Sequence, residues 1–325
     1  MRCLITGGSG FIGSHLSEIL LERGYQVTIV DDMSSGRHSN IEELVNSKKV
    51  SFVEGTVTDE ALMDRLISDS DVVFHLAAAV GVEMIMKDPV HCIETNIFGT
   101  QSVLKIAAKY STKVLIASTS EIYGKGEKVP FSEEDDRVLG PTTKARWSYA
   151  TSKAVDEFLG LAYHNQFGLP VVLFRLFNTV GPRQTGRYGM VVPRFVEKAV
   201  KGEPLQVYGD GEQTRCFCDV RDTVRAIVAL SELDEAVGQV YNIGGTNEIS
   251  ILDLAKKVIA LVHGEEANAS DYIKFVPYDE AYESGFEDMR RRVPDTKKIK
   301  NAINWEPQIS LEGTLRSVME HGSLS

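Results

Sequence analysis

The chain is short of several things that would have fixed its class at once. It has four cysteines in 325 residues, Cys3, Cys92, Cys216 and Cys218. That is too few for a disulfide scaffold, and Cys216-Phe-Cys218 lacks the spacing of a zinc ribbon. The seven histidines, at 15, 38, 75, 91, 164, 263 and 321, form no ligand pattern such as HExxH, so no metal is expected. His75 reads as a packed residue. No apolar run approaches the ~18 residues a membrane span requires. The apolar start Cys3-Leu-Ile-Thr6 breaks at Gly7-Gly8, too soon for a signal-peptide core. Basic residues are also scarce: 35 against 46 acidic ones, a formal net charge of −11. A nucleic-acid binder or a protein of anionic membranes needs the opposite sign. A small anionic ligand is still compatible, because a few local arginines outweigh a global excess. These traits read as a soluble cytoplasmic protein.

What the sequence does have is rhythm. Val- and Ile-rich runs at 2–6, 26–31, 49–54, 71–77, 113–118 and 171–177 alternate with amphipathic stretches near 11–23, 59–68, 88–110 and 146–167. Strands apolar throughout, separated by helices, predict an α/β fold with a doubly wound parallel sheet covered on both faces. After Gly181-Pro-Arg183 the pattern becomes mixed: helices near 190–202, 221–233 and 250–263, strands at 205–209, 215–220, 241–245 and 273–277, a polar loop and a final helix. This predicts a Rossmann-type domain over 1–180, with 220–245 returning to it. A smaller mixed α/β substrate domain is expected over most of 181–325.

Two constellations carry chemistry. Thr6-Gly-Gly-Ser-Gly-Phe-Ile-Gly13 lies between the first strand and the first helix. There Gly7, Gly10 and Gly13 permit a tight turn, close approach of a pyrophosphate and close helix packing. Strand two ends in Val30-Asp31-Asp32, a carboxylate in place for a ribose hydroxyl, which favours NAD over NADP. Tyr149-Ala-Thr-Ser-Lys153 puts a phenol and an ammonium on one helical face. An ammonium there would stabilise the phenolate and make Tyr149 a base. Ser118-Thr-Ser-Glu121 ends strand five, where ligands gather in such sheets.

Taken in order, 6–13, His75-Leu-Ala-Ala78, Asn96, 118–124, Tyr149 to Lys153, Phe177-Asn178, Gly181-Pro-Arg183 and Asn242-Ile-Gly-Gly245 resemble the extended short-chain dehydrogenase/reductases. Within them the chain is most similar to the NAD-dependent nucleotide-sugar epimerases, dehydratases and decarboxylases. The resemblance implies that Tyr149 takes the proton of a sugar hydroxyl during oxidation by NAD. Lys153 would hold the nicotinamide ribose and lower the tyrosine pKa, and Thr119 would bond the same hydroxyl. Gly7, Gly10, Phe11, Ile12, Asp31, Asp32, Leu76, Ala78 and Asn96 would form the cofactor site. Gly55-Thr-Val57 stands where relatives often carry an adenine-contacting Asp. Asn178, Tyr208, Gln213 and Arg215 would bind the nucleotide diphosphate, Arg215 by its bidentate guanidinium.

Thr119-Ser-Glu121 is most similar to UDP-glucuronate decarboxylases, since 4,6-dehydratases usually present Asp-Glu and simple 4-epimerases a small polar residue. The stretch Phe286-Glu-Asp-Met-Arg-Arg-Arg292-Val-Pro-Asp295 resembles the arginine segment of those decarboxylases. Arg292 and Glu121 would then govern the uronate carboxylate and protonation at C5. The implied reaction converts UDP-glucuronate to UDP-xylose through a 4-keto intermediate, with NAD regenerated in each turnover. The segments Thr142-Thr-Lys-Ala-Arg-Trp-Ser148 and Gln184-Thr-Gly-Arg187-Tyr188 depart from the usual decarboxylase sequence. Arg187 is therefore also a candidate for a uronate carboxylate that survives the reaction. The alternative is a UDP-sugar or UDP-uronate 4-epimerase, then a 4,6-dehydratase, and last a non-catalytic NAD-binding protein. Family members commonly pair through helices near 95–110 and 150–167, so a homodimer is expected, through residues such as Ile97, Leu104, Phe158 and Leu161.

Overall fold

The computed structural model describes residues 1–186, 190–277, 280 and 289–322. Arg187 and 286–288, both named above, therefore lie outside the described residues. Seven parallel strands form the central sheet: β1 (Arg2–Thr6), β2 (Gln26–Asp31), β3 (Val50–Glu54), β4 (Val72–His75), β5 (Lys113–Thr119), β6 (Val171–Leu176) and β11 (Val240–Ile243). Their order across the sheet is β11-β6-β5-β4-β1-β2-β3, all pairs parallel. The doubly wound fold expected from the rhythm is the fold observed.

Strand side chains alternate between two cores, which explains why both faces must be apolar. Cys3 and Ile5 join one cluster with Phe74, Leu115 and Phe174, covered by α1 (Phe11–Glu22) and α8 (Val220–Glu232). Leu4, Val73, Val114 and Ile116 face the other way. They pack on α3 (Glu60–Ser68), α5 (Pro89–Tyr110) and α6 (Ser148–Phe167) through residues such as Met63, Val103 and Leu104. A third cluster joins Phe195, Val207, Leu254, Val258 and Leu315 around α7 (Val191–Val200), α9 (Ile251–His263) and a last helix, Leu311–Gly322.

The details depart from the sequence reading in places. The expected strand at 215–220 divides into β9 (Thr214–Cys216) and β10 (Cys218–Asp219), and α8 begins at Val220 with Asp219 as its cap. The helix expected from 146 starts at Ser148, preceded by a 3₁₀ turn, Ala145–Trp147. A helix at Lys297–Ile303 was not expected; its Ile299, with Trp305, packs into the first cluster. Leu104, expected at a dimer face, is core, whereas Phe158 is 62% exposed.

Because β4 follows β3 in sequence but lies beside β1, the loops after β1 and β4 diverge and open a crevice at the carboxyl edge of the sheet. Below it lies a buried ion pair. Arg175 of β6 gives its Nε and Nη2 to Glu157 of α6 at 3.0 and 2.8 Å, and its Nη1 to Tyr123 Oη at 2.8 Å. Tyr123 donates to Asn242 Oδ1 of β11 at 2.7 Å. Arg175→Met would strand the Glu157 carboxylate, at a cost of about 3–5 kcal/mol. Urea unfolding of the variant and the parent measures that difference.

Candidate active site

A cleft of about 490 Å³ runs along the sheet edge from Asp31 past Tyr149 to Tyr208. At one end, Gly7 adopts φ +72°, and a Cβ there would lie 2.8 Å from the backbone nitrogen of Ala77. A Cβ on Gly13 would lie 2.4 Å from the Gly7 carbonyl oxygen. Glycine is thus what lets β1, the loop after β4 and the first turn of α1 come together. Gly10 caps α1 without any side-chain hydrogen bond, so the helix N-terminus stays open to an anion. Asp31 accepts the backbone N–H of Ser9 and of Met33, each at 2.9 Å, which ties its carboxylate to the glycine turn. Burial pushes its carboxyl above the ordinary value, and those two bonds oppose the shift.

Gly7, Gly10, Phe11, Ile12, Asp31, Asp32, Leu76 and Ala78 all line this end. The open helix terminus, the glycine cradle and the strand-end carboxylate fit NAD. Asn96 corrects the sequence reading: it lies behind the wall, 1% exposed. Its Oδ1 accepts the N–H of Ala79 at 2.8 Å and its amide donates to Ser152 Oγ at 3.1 Å. Its polar atoms hold the loop that lines the cleft. His75 is likewise internal, between Thr6 Oγ1 at 2.8 Å and Thr100 Oγ1 at 3.1 Å, and burial keeps it neutral with a pKa of about 3.

Mid-cleft, β5 delivers Thr119 and the turn beyond it delivers Glu121, while α6 delivers Tyr149 and Lys153. Thr119 hydrogen-bonds Tyr149 and accepts the backbone N–H of Glu121 at 3.2 Å. Tyr149 is a phenol here. Burial pushes its pKa up and the Glu121 charge adds to that, against the bond from Thr119. Lys153 gives its ammonium to the buried Asp156 at 2.7 Å. The lowered tyrosine pKa implied by the Tyr149–Lys153 spacing is therefore not a property of this resting arrangement.

Glu121 shares its carboxylate between two buried guanidinium groups. Arg146 Nη2 binds Oε2 and Arg292 Nη1 binds Oε1, the latter at 2.7 Å. Burial works to raise this carboxyl, but Arg146, Arg292 and, beyond them, Arg215 overcome it and bring the pKa to about 2. A carboxyl so held gives no proton near neutrality. The part in C5 protonation implied for Glu121 would require it to take up a proton that Arg146 and Arg292 disfavour in this arrangement. Arg146 is a residue the sequence reading did not single out as a site residue. Its signal was position, three residues before Tyr149 in a segment already marked as unusual.

The far end holds Asn178, Tyr208, Gln213 and Arg215. Arg215 Nη1 is bonded to the carbonyls of Thr214 (2.7 Å) and Met289 (2.9 Å), and Asn178 Nδ2 to that of Cys216 (3.2 Å). Arg194, also missed, lies over the Tyr208 ring with 4.3 Å from Cζ to the centroid and bonds its hydroxyl at 2.6 Å. Among the described residues, Arg37, Arg146, Lys153, Arg183, Arg194, Arg215 and Arg292 line the cleft, against the carboxylates Asp31, Asp32 and Glu121. The cleft is thus locally basic and suited to a polyanionic ligand.

The sequence matches the GDP-mannose 4,6 dehydratase family over residues 4–318. The chain belongs to that family. Within it, the chain is 46% identical over 321 residues to the UDP-N-acetyl-alpha-D-glucosaminuronate decarboxylase of Bacillus cytotoxicus, covering 98% of this chain and 97% of that one. It is 36% identical to UDP-glucuronic acid decarboxylase 1 of Xenopus tropicalis, covering 98% and 72%. The solved UDP-glucuronic acid 4-epimerase of Bacillus cereus, in complex with UDP-glucuronic acid and NAD, superposes with a TM-score of 0.88 at 29% identity, covering all of both chains. The extended short-chain dehydrogenase resemblance is thereby shown, and the family frame gives the cleft its orientation.

The depressed pKa of Glu121 has a signed consequence. Its stabilising contribution is complete above the ordinary carboxyl value and is lost as pH falls toward the folded value of about 2. The melting-temperature gap between parent and Glu121→Gln should be constant above pH 5 and shrink steadily on acidification. Thermal melts across that range check it.

Proposed function

We propose that this protein is an NAD-dependent decarboxylase of a UDP-activated uronic acid. One observation carries the reading: beside Tyr149 and Thr119 stand two buried arginines sharing a single carboxylate, a wall with room for a second carboxylate to be neutralised. The names of the two decarboxylases reported above support it. They act on UDP-glucuronate and on its 2-acetamido counterpart. The higher identity and fuller coverage favour the 2-acetamido sugar over the UDP-glucuronate implied by the motifs. The likeness to a UDP-glucuronic acid 4-epimerase supports a second reading, return of the 4-keto sugar with inverted configuration.

Gly7, Gly10, Phe11, Ile12, Asp31, Asp32, Leu76 and Ala78 would hold NAD, which when bound would supply a reversible two-electron acceptor for oxidation at C4 and its later reversal. Tyr149 would take the C4 hydroxyl proton as its phenolate, a form that positive charge from bound NAD and Lys153 would favour over the buried phenol of the ligand-free cleft, with Thr119 aligning that hydroxyl. A ketone at C4 makes the uronate a β-keto acid. The C5–C6 bond then breaks, its electron pair passes into the enolate, and CO₂ leaves. The Tyr149 hydroxyl, now carrying its proton, hydrogen-bonds the enolate oxygen until a proton from water adds to C5 and restores the C4 ketone; the tyrosine's proton then returns to the C4 oxygen as that ketone is reduced. Arg292 receives the carboxylate before it leaves. Arg215, Gln213, Tyr208 and Asn178 form the subsite for the UDP moiety.

Residues 1–180 with 220–245 would then serve as the NAD-binding domain and most of 181–325 as the substrate domain. The four buried free thiols suit the reducing cytoplasm. Among the described residues, no helix is long and apolar enough to cross a membrane. A homodimer is supported by Phe98 and Phe158, 54% and 62% exposed on the adjacent helices α5 and α6. Sedimentation equilibrium should return twice the 35.9 kDa chain mass, and Phe158→Glu should return the single mass.

Incubated with NAD and either UDP-uronate, the protein should yield a UDP-pentose lighter by one CO₂ in mass spectra. Tyr149→Phe should lower that turnover by ~10²–10⁴-fold. An unchanged mass with inverted C4 coupling in proton NMR would instead make the epimerase reading correct.

A further inference from the structure

Arg146 and Arg292 meet a single carboxylate, Glu121, at the inner wall of the cleft, and the charge of Arg215 acts on it from farther off. All three guanidinium side chains are more than nine-tenths buried. Formally the four groups carry three positive charges and one negative. A cluster with that balance of charge attracts further anions.

The two arginines on Glu121 are tethered differently. The backbone around Arg292 is pinned on both sides. Val293 O accepts the Phe131 N–H at 2.7 Å, the Asp295 N–H reaches Phe131 O at 2.8 Å, and Thr214 N–H reaches Arg290 O at 2.9 Å. Arg215 also holds Met289 O. A change of partner by Arg292 therefore falls to its side chain and not to its backbone. Arg146 grips Glu121 from the turn that leads into α6, three residues before Tyr149. Its hold on the Glu121 carboxylate is therefore in register with the helix that carries the proton-transfer residue.

We propose that Arg146 is a positioning residue for carboxylate selection: it retains Glu121 while Arg292 exchanges Glu121 Oε1 for the carboxylate of the incoming uronate. Glu121 is, in this arrangement, a placeholder for the substrate's C6 group. The inference rests on the uronate reading above but not on decarboxylation itself. Without Arg146, Glu121 has Arg292 as its remaining close partner, and an entering carboxylate must displace it outright. A sugar without C6 meets no such competition. Loss of Arg146 is thus felt as lost selectivity, whereas a merely structural arginine would weaken both ligands alike.

The test is isothermal titration of the NAD-loaded protein with UDP-glucuronate and with UDP-xylose, or with their 2-acetamido counterparts where turnover selects those. The quantity read is the ratio of the two affinities. Arg146→Gln should lower the preference for the uronate about tenfold, the scale of one lost charge partner. Arg146→Lys should recover most of it. Glu121→Gln should raise the preference and, combined with Arg146→Gln, restore it. Parallel weakening of both ligands in Arg146→Gln, or no restoration in the double variant, overturns the proposal. Should Arg146→Gln fail to fold, Glu121→Gln alone decides: a higher ratio supports the exchange, and an unchanged or lower one overturns it. Mass spectrometry of the same wild-type samples keeps the two readings apart. A wild type that prefers the uronate yet releases no CO₂ loses the decarboxylase and keeps the exchange. One that decarboxylates with a ratio indifferent to these substitutions loses the exchange alone.

Discussion

A carboxylate buried against a tyrosine that must handle protons is tolerable only where positive charge surrounds it, and much of this site is arranged to meet that condition for Glu121. Its partners come from segments far apart in the chain, the lead-in to α6 and the stretch after Met289. Fixing the charge therefore fixes three loops at once, and with them Thr119 and Tyr149. One layer deeper the same logic recurs. Glu157 takes Arg175 in a bidentate pair and also accepts from Ser118, one residue before Thr119. Two stacked, compensated carboxylates thus hold the end of β5, where Ser118 and Thr119 emerge. Neither pair is strong evidence for net stability, because desolvation offsets much of the attraction. Their contribution is to specify geometry.

Legibility followed the range of the interaction. Strands buried on both faces announce themselves as apolar runs, so the strands of the central sheet could be read to within a few residues at their ends. Glycines forced by a turn and a Tyr–Lys pair at helical spacing are likewise local signals. Arg146 is different: its meaning depends on a carboxylate 25 residues upstream and on an arginine 146 residues downstream, and in isolation it is a cation ahead of a helix. Asn96 shows the converse, a motif position whose side chain turns inward to hold backbone and not outward to ligand. The Lys297–Ile303 helix escaped notice because only Ile299 is fully buried, too little to set a period. One signal was present and unread: Arg175 inside Val171-Val-Leu-Phe-Arg-Leu176 is a charge in a buried strand, which requires a partner.

The overall charge and the site charge point in opposite directions. A chain of net charge −11 repels polyanions at long range, yet its cleft gathers more guanidinium and ammonium groups than carboxylates. At physiological ionic strength the distant acidic surface is screened over about 8 Å, whereas charges inside a low-dielectric cleft are screened far less. A diphosphate-linked sugar acid is the sort of ligand for which that contrast is useful. It is rejected by the general surface and held where several arginines converge.

The shared grip on Glu121 also bears on catalysis itself. An arginine devoted wholly to the substrate carboxylate would stabilise the ground state most strongly in the group that must leave, and such binding does not raise turnover. In this cleft Arg292 already has a partner. Its hold on an incoming carboxylate is offset by the contact it gives up, and that contact is available again once CO₂ has gone. Meanwhile the negative charge moves toward the C4 oxygen, beside a tyrosine hydroxyl that now carries the proton taken from the C4 hydroxyl. The site is then better matched to the charge distribution after C5–C6 cleavage than before it, which is the direction differential binding has to take for decarboxylation.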